Sequence, residues 1–316
     1  MSCITCNSTT TPTMKDFQSK NIFTWCTNCG NYGIHTALRR ALVSKKIPAC
    51  RTLTCFDIGC NGNGSDKIGG YNFHGLHGRS IPLAVGAEMA NRKVTVIAFG
   101  GDGGTLGEGI GHLVHAVRGN YNITFVLHNN LNYGLTKGQA SPTSKKNMKM
   151  NSSPDGATSE LLHPAKFVLS LESTFVARSF SGDVKHMTKV FEQALDHKGF
   201  SFVEIMQSCP TYNKETPHEW YMDRVYDVES IKGYDSSNRE QALKIAQDQE
   251  DKVNGEAREG DLGQKIAIGV LYQDKKSVPQ IDRQPNRNGS VGTKIKTDAY
   301  EETKQYNISK LLEKFR

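Results

Sequence analysis

The chain has 316 residues, 37% hydrophobic and 22% charged, enough apolar material for a packed core and unlike a disordered polyelectrolyte. Lys and Arg outnumber Asp and Glu by 39 to 32, a net charge of +7. This excess permits an acidic partner, and because no dense basic stripe interleaves with aromatics no nucleic acid is expected. No apolar run nears the roughly 18 residues of a membrane span, and Met1–Thr13 carries no basic-then-apolar leader, so a cytoplasmic protein without a membrane role is expected.

Residues 1–20 read as a flexible tail. Tyr32–Lys45 places Ile34, Leu38 and Leu42 at helical spacing. Thr52–Ile58 is a short strand, and Gly59–Gly78 a long glycine-rich loop. Ile81–Asn91 is helical, and Val94–Phe99 is the continuous apolar run of a strand covered on both faces. A turn at Gly100–Gly104 leads into a helix over Gly107–Arg118, then the strand Ile123–Leu127 and a polar loop, His128–Ala157. Thr174–Phe180, Val184–His197 and Phe200–Met206 continue strand, helix, strand. The alternation predicts an α/β fold over residues 21–234, a parallel sheet with helices on both faces that binds ligands beyond the carboxyl ends of its strands. Residues 235–316 turn polar and read as a C-terminal extension or arm. One strand-like run, Lys265–Tyr272, and one amphipathic helix, Tyr306–Phe315, interrupt it.

The segment Gly100-Gly101-Asp102-Gly103-Gly104 follows the most apolar strand and precedes a helix. Glycines there let backbone N–H groups approach a phosphate. Asp102 would repel that anion unless a hard cation such as Mg²⁺ lay between them. The dinucleotide spacing G-x-G-x-x-G fails because Leu106 takes the third glycine's place. Asn130 ends the next strand, so Asp102 and Asn130 can meet at one cation. Either segment alone would pass for an ordinary turn; as a pair leaving buried strands they point to a metal–diphosphate site.

These segments belong to an ordered series: WCTNCG, DIGCNGNGSDK, YNFHGLHGR, GDG, HNNLNYGLTKGQASPTS and SCPTYN. Over roughly Trp25–Asn213 the chain resembles the β subunit of 2-oxoacid:ferredoxin oxidoreductases, the subunit that binds thiamine diphosphate. The resemblance implies Mg²⁺ held by the side chains of Asp102 and Asn130 and the carbonyl of Asn132. It places Gly59, Gly101, Gly103, Gly134, Leu135 and Thr136 around the cofactor, and His74, His77, Gly78 and Arg79 near it through the HxxHGR segment, with His74 and His77 as catalytic candidates. Gly104 departs from the acidic residue often found after GDG in the family. His112 and His115 read as packing or capping residues.

Eight cysteines without a leader read as metal ligands, nucleophiles or buried thiols rather than a disulfide framework. Cys26 and Cys29 form a CxxC at a helix start, and Cys60 and Cys209, in loops, can complete a Cys₄ set. The resemblance implies that these four hold a [4Fe–4S] cluster beside the thiamine ring. The spacing Cys3-x₂-Cys6-x₁₉-Cys26-x₂-Cys29 also fits a structural zinc site. Cys50 and Cys55 read as buried thiols.

The implied activity is oxidative decarboxylation of a 2-oxoacid with coenzyme A, with electrons passing through the cluster to ferredoxin. No carboxylate here matches the one that activates the aminopyrimidine; Glu88 reads as a surface or packing residue. In the family that Glu comes from the α subunit, so this chain is expected to be half an active site. Lys137, in GLTKGQ, is a catalytic-site candidate whose charge suits the distal carboxylate of 2-oxoglutarate, which favours 2-oxoglutarate or broad specificity with pyruvate possible. Asn63 and Lys67 are candidates for the entrance. The competing readings are a non-redox thiamine-dependent decarboxylase or carboligase, and a non-catalytic, zinc- or Fe–S-stabilised assembly subunit.

Overall fold

The computed structural model describes residues 11–248, 265–283 and 313. In chain order the elements are α1 (Asn31–Ser44), β1 (Thr52–Phe56), β2 (Tyr71–His74), α2 (Ser80–Ala90), β3 (Thr95–Gly101), α3 (Ile110–Gly119), β4 (Thr124–Asn129) and α4 (Pro164–Ser170). There follow β5 (Phe175–Phe180), α5 (Val184–Asp196), β6 (Ser201–Met206), α6 (His218–Met222), β7 (Val225–Asp227), α7 (Arg239–Asp248), β8 (Ile266–Gln273) and α8 (Gln280–Arg283).

The strands form one eight-stranded sheet in the order β2-β1-β3-β4-β6-β5-β8-β7. All pairings are parallel except β5 with β8. Alternation along the central strands feeds two cores. In β3, Val96 and Ala98 join the core under α2, α3, α4 and α7, while Ile97 and Phe99 join the one under α1 and α5. A strand covered on both faces has no polar side, hence the unbroken apolar run in the sequence. From β1 the chain runs outward to β2 and then returns past β1 to β3, so the order reverses between β1 and β3. That reversal leaves a crevice at their carboxyl ends.

Three local features depart from the sequence reading. Within the expected tail, Met14–Phe17 makes a 3-10 turn and buries Phe17 in the core with α1. Within Gly59–Gly78, Tyr71–His74 forms an edge strand pairing with β1, from Leu53↔Tyr71 to Phe56↔His74. All four of its residues are exposed, so backbone pairing rather than an apolar pattern defines it. The helix expected over Gly107–Arg118 is split: Gly104–Glu108 makes one π-helical turn, and α3 begins after Gly109.

Part of the polar C-terminal region packs into the same body. The run expected at Lys265–Tyr272 is β8, inserted beside β5, and Ala242 and Ala246 of α7 are buried in the core. The helix expected at Tyr306–Phe315 falls outside the described residues apart from Glu313. Among the described residues no helix is long and apolar enough to cross a membrane.

Candidate active site

The crevice between β1 and β3 contains a cavity of about 100 Å³. Ile58–Asn61 after β1, Gly101–Gly104 after β3, His128, Asn130 and Asn132–Thr136 at and after β4, with His77 and Gln207, form its wall. The sequence candidates Gly59, His77, Gly101, Asp102, Gly103, Asn130, Asn132, Gly134, Leu135 and Thr136 all lie on it.

Asp102 is 1% exposed. Its Oδ2 accepts hydrogen bonds from Ser141 Oγ and Thr143 Oγ1, both at 2.6 Å. Burial pushes its carboxyl up to about 6, against the opposing pull of these hydroxyls. Asn130 Oδ1 accepts the backbone N–H of Asn132 at 3.1 Å, and Asn132 Nδ2 donates back to the Asn130 carbonyl at 2.8 Å. The turn puts Leu131 in the left-handed region, φ 61°. An amide oxygen has a second lone pair, so Asn130 retains acceptor capacity. Asn132 Oδ1 is buried without a partner.

His77 contacts Asp57, which sequence reasoning missed although it opens the DIGCNG motif. Asp57 is fully buried. Its Oδ1 accepts the backbone N–H groups of Ile58 and Gly78, each at 2.7 Å, and lies 3.3 Å from His77 Nδ1. Desolvation raises its pKa, and these donors oppose the rise. A Cβ at Gly104 would lie 2.1 Å from Asp57 Oδ2 and 2.7 Å from the His77 ring. The acidic residue seen elsewhere after GDG has no room here.

Four candidates stand off this wall. His74 is an exposed residue of β2, with Nδ1 3.4 Å from Ser65 Oγ. Gly78, at φ 70°, packs against the backbone of Gly104 and Gly109. Arg79 donates to the carbonyls of Glu108 at 2.8 Å and Gly78 at 3.3 Å; it joins two backbone segments instead of reaching into the cavity, because the turn before α2 aims it there. Lys137 is exposed just past Thr136, at φ 79°. Glu88 is 4% exposed on α2, the packing alternative of the two expected for it.

A second cavity, of about 180 Å³, is lined by Cys26, Cys29, Cys60 and Cys209 together with Trp25, Asn63 and Thr211, among others. It shares Cys60, Asn130, Gly134, Leu135 and Gln207 with the first. Burial raises the Cys29 thiol to about 11 and the Cys60 thiol to about 12, and the neighbouring sulfurs push in the same direction. Without a cation these groups stay protonated. Among the described residues no three His, Cys, Asp or Glu side chains stand ready-made to hold a metal ion. Cys3 and Cys6, which the zinc reading requires, lie outside the described residues. Cys55 is a buried free thiol, whereas Cys50, expected to be one, is disulfide-bonded. Lys67 pairs with Asp66 and lines neither cavity. His115 Nδ1 lies 3.3 Å from Arg118 Nη1 on α3, away from both.

Besides Asp57, sequence reasoning missed Asn61, His128 and Gln207. Asn61 lines the first cavity at 3% exposure with neither amide atom hydrogen-bonded. Such an orphaned amide fits a cavity that receives a polar ligand. Its only sequence signal is its place beside Cys60.

Residues 57–205 match the family model of the thiamine pyrophosphate enzyme C-terminal TPP-binding domain. Residues 209–288 match the model for the C-terminal part of the pyruvate ferredoxin oxidoreductase β chain. The 2-oxoacid:ferredoxin oxidoreductase subunit β of Saccharolobus solfataricus is 36% identical over 254 residues, 79% of this chain and 82% of that one. The 2-oxoglutarate oxidoreductase subunit KorB of Mycobacterium tuberculosis is 38% identical over 199 residues, 63% of this chain and 53% of that one. Among solved structures, a 2-oxoglutarate:ferredoxin oxidoreductase from Magnetococcus marinus, with 2-oxoglutarate, coenzyme A and succinyl-CoA bound, superposes with a TM-score of 0.79 at 30% identity and covers 96% of each chain.

Proposed function

The chain belongs to the β subunits of the 2-oxoacid:ferredoxin oxidoreductases, and from that premise we propose how its two cavities divide the work. The first takes thiamine diphosphate with Mg²⁺ at the side chains of Asp102 and Asn130 and the carbonyl of Asn132. The second takes a [4Fe–4S] cluster at Cys26, Cys29, Cys60 and Cys209. An α subunit supplies the missing carboxylate for the aminopyrimidine, and ferredoxin accepts the electrons. The observation that carries this reading is the shared wall: Cys60 and Asn130 border both cavities.

The donor chemistry fits both groups. The oxygen donors Asp102, Asn130 and Asn132 lie on the first cavity, and four cysteine sulfurs line the second. A single zinc ion would need its thiolates about 3.8 Å apart, from Zn–S bonds of about 2.3 Å; a four-iron cluster spreads its cysteines wider. A decarboxylase or carboligase without redox chemistry has no use for four thiols around one cavity beside the cofactor.

When bound, thiamine diphosphate supplies the carbanion chemistry of decarboxylation and the cluster takes up the released electrons. The protein's part is positional and electrostatic. Ser141 and Thr143 hold Asp102 by one oxygen, turning the carboxylate so that the other can meet a cation. Burial of Asp102 favours its proton until a cation replaces it. Asp57 holds His77 in the wall, and His77 Nε2 lies 3.9 Å from Glu108 Oε2, so the imidazole stands between two carboxylates. The exposed Lys137 offers a charge to a distal carboxylate at the rim, which with the relatives named for 2-oxoglutarate favours that substrate; pyruvate is the competitor. The excess positive charge would speed encounter with an acidic ferredoxin.

The test is to purify the chain anaerobically with its α subunit, assay iron, sulfide and thiamine, and follow 2-oxoglutarate- and coenzyme A-dependent dye reduction. Stoichiometric iron and sulfide with turnover is the expected result. A zinc-filled or metal-free active complex would overturn the cluster assignment.

A further inference from the structure

The wall between the two cavities holds one polar side chain to which the proposed function gives no task. Gln207 follows β6 directly, is 1% exposed, and borders both cavities. Its backbone N–H is fixed to the Asn129 carbonyl at 2.8 Å. Its side-chain Nε2 donates to Cys29 Sγ at 3.7 Å, within the longer reach of a sulfur acceptor.

The start of α1 presses on this residue. A Cβ at Gly30 would come within 2.6 Å of Gln207 Cγ and 2.5 Å of Ser181 Oγ, so only glycine lets Cys29 come this close. Behind Gln207 lies the buried His128, whose Nδ1 is 2.8 Å from Asn31 Oδ1. Asn31 Nδ2, His128 Nε2 and Gln207 Oε1 are all buried without a partner. A half-turn of the Asn31 amide, which exchanges its oxygen and nitrogen, makes Asn31 the donor in its contact with His128 Nδ1. Asn31 Nδ2–H then donates to His128 Nδ1, which leaves the ring proton on Nε2, and the Gln207 amide N–H faces Cys29.

We infer that Gln207 tunes the reduction potential of the cluster through an N–H···S bond to Cys29, with Asn31 and His128 as positioning residues that fix which end of its amide faces the sulfur. The inference rests on the proposed iron–sulfur cluster. Reduction adds one electron to the cluster, and the negative charge spreads onto its cysteinyl sulfurs. A donor at such a sulfur therefore stabilises the reduced state more than the oxidised one and raises the potential. An amide supplies that donor with no net charge, whereas a Lys would add charge and a Glu would oppose the electron.

The test uses the anaerobically reconstituted complex with its α subunit, titrated potentiometrically with EPR detection of the reduced cluster. Gln207→Met keeps the volume and removes the donor. It should shift the oxidised-to-reduced ratio at fixed poise about tenfold toward oxidised, a fall of about 59 mV for a one-electron couple. His128→Phe should move the potential in the same direction by less. A second measurement needs no variant: with glutamine side-chain amides labelled with ¹⁵N, pulsed EPR of the reduced wild type should show a ¹⁵N coupling. An unchanged potential in Gln207→Met, or no ¹⁵N coupling in the wild type, overturns the role of Gln207 while leaving the cluster in place. A wild-type complex that takes up no iron and sulfide overturns the cluster reading and this inference with it.

Discussion

His77 meets Asp57 through Nδ1 at 3.3 Å, and the same carboxylate oxygen receives two backbone N–H groups at 2.7 Å. One buried carboxylate thus ties the turn after β1 to the loop carrying the HGR sequence. Gly104 completes the contact by having no side chain.

Replacing Asp57 by Asn keeps the shape but loses the charge that three donors share. Hydrogen bonds to charged groups contribute about 1.5–3 kcal/mol each. The variant should lower Tm and weaken thiamine diphosphate binding, measured by calorimetry on the complex. Gly104→Ala should destabilise the fold by about 1–3 kcal/mol through overpacking, read as a lower Tm. An unchanged Tm for Gly104→Ala would mean that Asp57 and His77 can move aside.

Ser141 and Thr143 act on Asp102 from behind. Their removal in Ser141→Ala or Thr143→Val should weaken Mg²⁺-dependent cofactor uptake by about 10–100-fold, the usual effect of losing a partner of a metal ligand. Titration of the apo complex with Mg²⁺ and thiamine diphosphate reads this directly. Affinity equal to wild type in both variants would show that Asp102 needs no such support.

Cys209 separates the proposed cluster from the competing zinc reading. Cys209→Ser should abolish or strongly reduce bound iron and sulfide, while Cys3→Ser and Cys6→Ser should leave both unchanged. Metal analysis showing the reverse dependence would establish the zinc set.

Lys137→Ala should raise KM for 2-oxoglutarate by up to about tenfold, or about 1.4 kcal/mol, and leave KM for pyruvate unchanged. The dicarboxylate alone has a group for the lysine to meet. Equal effects on both substrates would remove this role.

Buried histidines set an acid limit on stability. Burial lowers His35 and His197 to about 4 from an ordinary 6.5. Between pH 6.5 and 4 the unfolded chain binds protons that the folded chain refuses. Stability contributed by these groups is therefore full above about 6.5 and falls as pH drops toward 4, by up to about 3 kcal/mol each. Tm measured across this range should fall, and His197→Asn should flatten the curve. A Tm independent of pH over that window would contradict the burial of these rings.

The sheet and its two covered faces were legible in the sequence because unbroken apolar strands and amphipathic helices leave periodic signatures. The edge strand Tyr71–His74 was not, since backbone pairing holds it and its side chains face outward. For the same reason His74 and Arg79 looked alike within one motif, although the turn before α2 spends Arg79 on backbone carbonyls.

From residue order came the fold class, and from the resemblance carried by its ordered motifs came the family and the candidate sets Cys26, Cys29, Cys60, Cys209 and Asp102, Asn130, because each is a matter of residue type in sequence order. The tertiary structure decided what spacing cannot encode: that Gln207 stands between the two cavities, that Asp57 holds His77, and that Asn61 aims an unpartnered amide into the first. Those relationships join residues from different strands, and they exist only once the sheet has brought the ends of β1, β3, β4 and β6 together.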